Sequence, residues 1–390
     1  MPTQSAPKQP PCLAERFFPQ ISAARPQRPF PIGILPGEGI GPSIIEASLD
    51  LLKVIERHFP VSFELHWGGK IGKDAIAETG RALSDEVIAF CKAVFSQGGP
   101  VICGPGGERF VYDLRRKFDL FCKLAPIQPL AAMVDTGPLN PSAVAGVDIL
   151  IVRENTGGLY QGDFGFEQKA GIRHAYHRFE YSQFQVARII DLAARLASRR
   201  LGQLCVVTKP GGAPTISHLW EEQAQIAGHA HDVELKILEV DNACYQIIAN
   251  ASAFDVVVAP NMFGDVIADN AALLLGSRGI SHSANYSEAG HAVYQTGHGA
   301  AHDLAGLDRA NPVGQMLSLA MLLRESFGLI EIAHEIRLAI DDTLAAGWRT
   351  GDIVMAGGQV VGTRELAGQI AERLDERLSK VSTPQYARAI

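Results

Sequence analysis

The sequence predicts an α/β fold built on a largely parallel or mixed sheet. Short apolar runs of strand length recur along the chain, and several are apolar almost without interruption, as expected of strands covered on both faces. Each is followed by a turn and then a stretch with helical periodicity. No internal repeat and no clear linker divides the chain, which suits domains that exchange strands rather than sit in tandem.

Pro31-Ile32-Gly33-Ile34-Leu35 reads as a buried strand, ending in the turn Pro36-Gly37-Glu38-Gly39-Ile40-Gly41-Pro42. A helix follows, with Ser43 near its first turn and Ile44, Ile45, Leu49, Leu51, Leu52 and Val54 along it. Residues 84–95 give a second amphipathic helix, and Val101-Ile102-Cys103 a strand closing on Gly104-Pro105-Gly106-Gly107. Residues 147–153 form the strongest buried run. A helix is expected over 183–199, buried strands over 204–208 and 254–258, and mostly helix beyond about Pro312.

The 390 residues suffice for two domains, or for one large domain with an insertion. With 47% apolar and 20% charged residues, the composition is that of a soluble globular protein. A net charge of −7 argues against non-specific binding to nucleic acid or to an anionic membrane. No apolar run reaches the ~18 residues that span a bilayer, and the N-terminus lacks the apolar core of a signal peptide. Residues 1–30 are expected to form a disordered extension; a transit peptide is the alternative for the Pro-, Gln-, Ala- and Arg-rich residues 1–28. The expected location is accordingly cytoplasmic, with the mitochondrion as alternative. The six cysteines form no CxxC pair and no metal-ligand spacing, so buried free thiols are expected.

Five stretches carry polar chemistry at strand ends. The Gly37–Pro42 turn either presents backbone N–H groups to a bound group or is a tight strand-to-helix turn. Asp265 and Asp269, four apart at the start of a helix, share one face; they either flank an oxygen-liganded cation or cap and solvate the helix. Arg153-Glu154-Asn155-Thr156-Gly157-Gly158-Leu159-Tyr160 closes the strongest strand. There Arg153 can grip a carboxylate and Tyr160 can donate a proton, unless the segment is only a polar turn. Lys209 ends another strand; beside a dication its pKa would fall and make it a general base, whereas alone it is a solvated loop residue. The Gly- and Ala-rich loop Gly297-His298-Gly299-Ala300-Ala301-His302-Asp303 can take a flat base, with Asp303 on ribose hydroxyls.

In this order the stretches resemble the β-decarboxylating dehydrogenases, the family of isocitrate, isopropylmalate, homoisocitrate and tartrate dehydrogenases. The resemblance runs from about residue 31 to 375. Arg153 to Tyr160 looks like the family's RENTGGLY segment, Asn261 to Asp269 like its N-x-F-G-D-x-x-x-D signature, and Gly37 to Pro42 like GDGIGP with Glu for Asp. Gly351-Asp352-Ile353 and Gly362-Thr363 resemble the C-terminal pattern. The resemblance implies a two-domain fold unlike the Rossmann domain, with mixed sheets flanked by helices. One domain would join residues 31–125 and 280–390; the other, 126–279, would dimerise through an arm near 163–180. It further implies NAD and Mg²⁺ or Mn²⁺ as cofactors, and homodimer sites shared between subunits. Asp265 and Asp269 would hold the metal with Asp241 of the second copy, which would also bring Lys209 as base. Arg115, Arg153 and Tyr160 would come from the home subunit. His298, Gly299, Asp303 and Asn311 would contact NAD; Asp303 would disfavour a 2′-phosphate.

The pattern breaks at the substrate end. The family has a second Arg where this chain has Ala125; isocitrate members place Ser and Asn where this chain has Arg109 and Val111; the longer loop of isopropylmalate members is absent. The expected substrate is therefore a 3-substituted malate other than isocitrate or isopropylmalate, whose distal group meets Arg109 or Lys123. The alternatives are a tartrate or malate dehydrogenase, or a non-catalytic regulatory subunit; retention of Asp241, Asp265, Asp269, Tyr160 and Lys209 speaks against the last.

Overall fold

The computed structural model describes residues 29–354 and 359–380. The expected N-terminal extension, and Cys12 within it, lie outside the described residues.

The N-terminal part alternates strands and helices: β1 (Phe30–Leu35), α1 (Gly41–His58), β2 (Phe63–Trp67), α2 (Gly72–Thr79), α3 (Asp85–Ser96), β3 (Val101–Cys103), α4 (Phe110–Lys117) and β4 (Cys122–Ile127). The middle part contributes α5 (Pro141–Val144), β5 (Ile149–Glu154), β6 (Asp163–Lys169), β7 (Ile172–Arg178), α6 (Gln183–Ala197), β8 (Gln203–Thr208), α7 (Pro214–His231), β9 (Glu234–Glu239), α8 (Val240–Ala249), β10 (Val256–Ala259) and α9 (Asn261–Ala271). Then follow β11 (His282–Tyr286), β12 (Ala292–Thr296), α10 (Val313–Glu325), α11 (Ile330–Ala345), β13 (Trp348–Arg349), β14 (Gln359–Val360) and α12 (Thr363–Ser379).

Ten strands form one sheet in the order β2-β1-β3-β12-β11-β4-β5-β10-β8-β9. The outer four on either side run parallel, and the direction reverses at β12/β11, β11/β4 and β4/β5. The sheet is therefore mixed, as the sequence expects. Local chemistry starts the helices: the Ser84 side chain accepts from Val87 N–H, and Ser182 with Gln185 closes a capping box on α6. One apolar core runs beneath both halves, from Ile32 and Ile34 through Ile151 to Val206 and Val257. Cys91, Cys103, Cys122 and Cys205 are buried free thiols, and Cys244 is a half-buried one. β6 and β7 stand apart as a two-stranded hairpin with Phe164, Phe166 and Ile172 exposed.

Candidate active site

The site begins at the end of β5. Arg153 is the last residue but one of that strand and only 2% exposed. Its Nε and Nη2 donate to Asn261 Oδ1 at 3.1 and 2.9 Å, and its Nη1 pairs with Asp265. Helix α9 can bring Asp265 this close because Gly264 faces Arg153: a Cβ at 264 would lie 2.9 Å from the arginine's Cβ and Cγ. Past the strand, the buried Glu154 carboxylate accepts from Thr156 N–H at 2.6 Å and Gly157 N–H at 2.9 Å, bending the chain. Gly158 then turns at φ +69°, with the Tyr181 hydroxyl against it, and sets Tyr160 over Arg153, whose Cζ lies 5.6 Å from the ring centroid.

Charges converge here. Arg115 on α4 and Lys123 on β4 are both buried, and Lys123 lies directly across from Arg153 in the β4/β5 ladder. Burial pulls the Lys123 ammonium down to about 7, helped by Arg115 and Arg153. The same causes, burial first and then Arg153, lower Arg115 to about 9, so it stays charged at neutral pH. Burial works against the Asp265 carboxylate, but Arg153, Lys123 and Arg115 outweigh it and hold its pKa below the usual range. Tyr160, hydrogen-bonded to Asp265, is pushed up to about 12, mainly by burial and then by that carboxylate.

The structure thus brings Arg115, Arg153, Tyr160 and Asp265 together. Asp269 follows one turn on, exposed, with Arg278 Nη2 at 2.8 Å. Arg109 lies at the rim: it donates to the Tyr160 carbonyl at 3.2 Å and sits over the rings of Tyr112 and Phe164, at 5.4 and 5.2 Å. Lys209 and Asp241 form a separate cluster with Glu239, the lysine Nζ being 2.7 Å from both carboxylates. Within one chain, hydrogen bonds to Asp241 and Glu239 raise the Lys209 pKa. Among the described residues of one chain, the aspartates make no group of three that could hold a metal.

On the cofactor side, the Gly37–Pro42 turn is the tight turn and not an open cradle. Glu38 N–H donates to Pro105 and Ile40 N–H to Ala300, while the buried Glu38 carboxylate accepts from Lys73 and Gly107. The turn thereby anchors the loop bearing His298, Gly299 and Asp303. His298 Nδ1 lies 3.0 Å from the Gly299 carbonyl, and its Nε2 is buried without a partner. Open space flanks Gly299, and Asp303 is exposed. Asn311 is tied at both ends, donating to Asp352 at 3.1 Å and accepting from Val313 N–H at 3.0 Å. The orphaned His298 nitrogen beside open backbone fits a nucleotide. The ionised Asp265 with Asp269 one turn on offers oxygen ligands, which fits Mg²⁺ or Mn²⁺.

Sequence reasoning missed Asn261 as the residue that orients Arg153, and Asn285 beside Lys123. The position of Asn261 within the matched signature was the available signal.

Comparison with known proteins bears on this geometry. Residues 31–370 match the family model described as isocitrate/isopropylmalate dehydrogenase. The 3-isopropylmalate dehydrogenase of Gloeobacter violaceus is 39% identical over 356 residues, covering 87% of this chain and 97% of that one. That of Syntrophotalea carbinolica is 38% identical over 363 residues, covering 89% and 99%. The crystal structure of isocitrate dehydrogenase from Methylococcus capsulatus superposes with a TM-score of 0.76 at 29% identity, covering 89% of this chain and 99% of that one. The fold is thus shared along nearly the whole chain. The chain belongs to the isocitrate/isopropylmalate dehydrogenase family: NAD- and divalent-metal-dependent decarboxylating enzymes that act on a CH–OH carbon. Their substrates are small molecules, and no helix among the described residues is long and apolar enough to cross a membrane.

Proposed function

We propose that this enzyme oxidatively decarboxylates a 3-substituted malate other than isocitrate or 3-isopropylmalate, and that it does so as a homodimer. The observation that carries the reading is the convergence of Arg115, Lys123 and Arg153 on Asp265 and Tyr160 at the centre of the sheet. Residues 31–125 with 280–390 act as one domain and 126–279 as the other, the seam lying along β4.

Arg115 and Arg153 bind the acid, Arg153 with its fork fixed by Asn261. Asp265 and Asp269 hold the metal together with Asp241 of a second copy. His298, Gly299 and Asp303 receive the adenosine half of NAD, and Asn311 shapes that wall. NAD would supply the hydride acceptor, and the cation would supply positive charge at the substrate's oxygens. Lys209 of the second copy accepts the hydroxyl proton only once Asp241 turns to the metal, because its hydrogen bonds to Asp241 and Glu239 otherwise keep it a charged ammonium. Tyr160, which keeps its own proton at neutral pH, delivers it to the carbon that CO₂ leaves. The cationic and aromatic rim of Arg109, Tyr112 and Phe164 supports a 3-substituent unlike isopropyl. A second reading, 3-isopropylmalate itself, is favoured by the names of the relatives.

The test is NADH formation by the purified chain with Mn²⁺ over malate, tartrate, isocitrate, 3-isopropylmalate and malates with aromatic or acidic 3-substituents. A best substrate among the last group is expected. Isocitrate or 3-isopropylmalate turning over at least as well as every other acid rejects the substrate assignment.

A further inference from the structure

We propose that Lys123 is a carboxylate-binding residue of this site, the third cation of a cradle that holds the malate core; the proposal rests on the function just given. Lys123 occupies the middle of the sheet, between Arg153 on β5 and Asn285 on β11. Directly opposed residues of neighbouring strands share a face, so all three lie on the face that carries the site.

The side chain of Lys123 is buried, yet it makes no hydrogen bond or ion pair among the described residues. Its neighbours are committed elsewhere. Asp265 takes Arg153 and Tyr160, and Asp269 takes Arg278. The Asn285 amide donates to the Val293 carbonyl at 3.2 Å and accepts from Asn155 at 3.0 Å. A second, independent gap lies beside it: Arg115 Nε is buried without an acceptor. Two neighbouring buried cations that lack acceptors call for an anion between them, because a structural role would be better served by an apolar side chain of the same length. A malate core brings two carboxylates, and Arg153 has already given Nη1 to Asp265.

The next residue on the same strand face is Ala125, a small buried side chain. This gives a relocation test: a cation moved from 123 to 125 stays on the same face of β4.

Malate binding to the Mn²⁺-loaded chain is measured by calorimetry, with NAD affinity and the urea midpoint as controls. Lys123→Met is expected to weaken malate about 10- to 100-fold, with NAD affinity unchanged and the urea midpoint equal or higher. Lys123→Arg keeps most of the affinity, and the double variant Lys123→Met, Ala125→Arg regains it. Unchanged malate affinity in Lys123→Met overturns the proposal, as does a wild type that does not bind malate. If Lys123→Met also loses NAD, the double variant decides: recovery of malate binding supports the proposal and its absence overturns it. Malate affinity that depends on Lys123, in a wild type that reduces NAD with none of the acids tested, upholds Lys123 and rejects the assigned reaction.

Discussion

Tyr160 keeps its proton because its ring lies partly buried beside the Asp265 carboxylate, and both features disfavour a phenolate. The donor role proposed for Tyr160 requires it to hold its proton until the carbon needs it, so Tyr160→Phe is expected to lower kcat about 10²-fold or more while KM changes little; steady-state kinetics check this. His282 shows the reverse case for a base. Burial, with Arg337 nearby, lowers its pKa from 6.5 to about 4. Between those two values the unfolded chain binds a proton that the folded chain refuses, so stability falls as pH drops from 6.5 toward 4 and is flat above. Urea titrations at pH 7.5 and 4.5 should show a loss to which His282 contributes up to about 3 kcal/mol, and His282→Gln should remove that share. At this scale the sequence reveals which residues matter better than what they do. Arg153, Tyr160 and Asp265 were legible because polar groups at the end of an apolar strand face a cleft. The cluster of Lys209 with Glu239 and Asp241 was not, because those carboxylates reach the lysine only through the fold.

Helix α9 and strand β5 touch through Gly264, and the contact fixes both Asp265 and the Arg153 fork. Gly264→Ala must push the helix or the arginine aside, and a displacement near 1 Å should cost about 10²-fold in kcat/KM. Near-normal kinetics in that variant would show that the close contact is not needed. The β6–β7 hairpin exposes Phe164, Phe166 and Ile172, a patch that a second copy would cover. Replacing Phe166 and Ile172 together with Asp should yield monomers in light scattering, with NAD binding kept and turnover lost. Strands β1, β3, β5, β8 and β10 were legible as apolar runs. Strands β9 and β11 were not: β9 alternates charged and apolar residues, and β11 buries His282, Ser283 and Asn285 in mid-sheet. Ser283 and Asn285 donate to the Gln295 and Val293 carbonyls of β12, acceptors that only strand pairing supplies.

At the scale of the whole molecule, the single sheet spans both proposed domains, and its reversals at β11 and β4 place the reactive groups where the two parallel halves meet. The shared sites proposed above would make activity depend on protomer concentration: dilution below the proposed dimer's dissociation constant should abolish turnover before it affects NAD binding. The α/β class was legible from strand–helix alternation. The strand order was not, because β11 (from His282) and β12 (to Thr296) insert between β3 and β4, which end at Cys103 and Ile127.

That insertion also orders events on the ribosome. Until residue 296 has emerged, β3 and β4 each lack a neighbour, so the growing chain carries two unpaired strand edges from the completion of β4 at Ile127 onward. Chains truncated just before β11 should therefore aggregate rather than fold as a smaller unit, and sedimentation of such fragments after expression would reveal it.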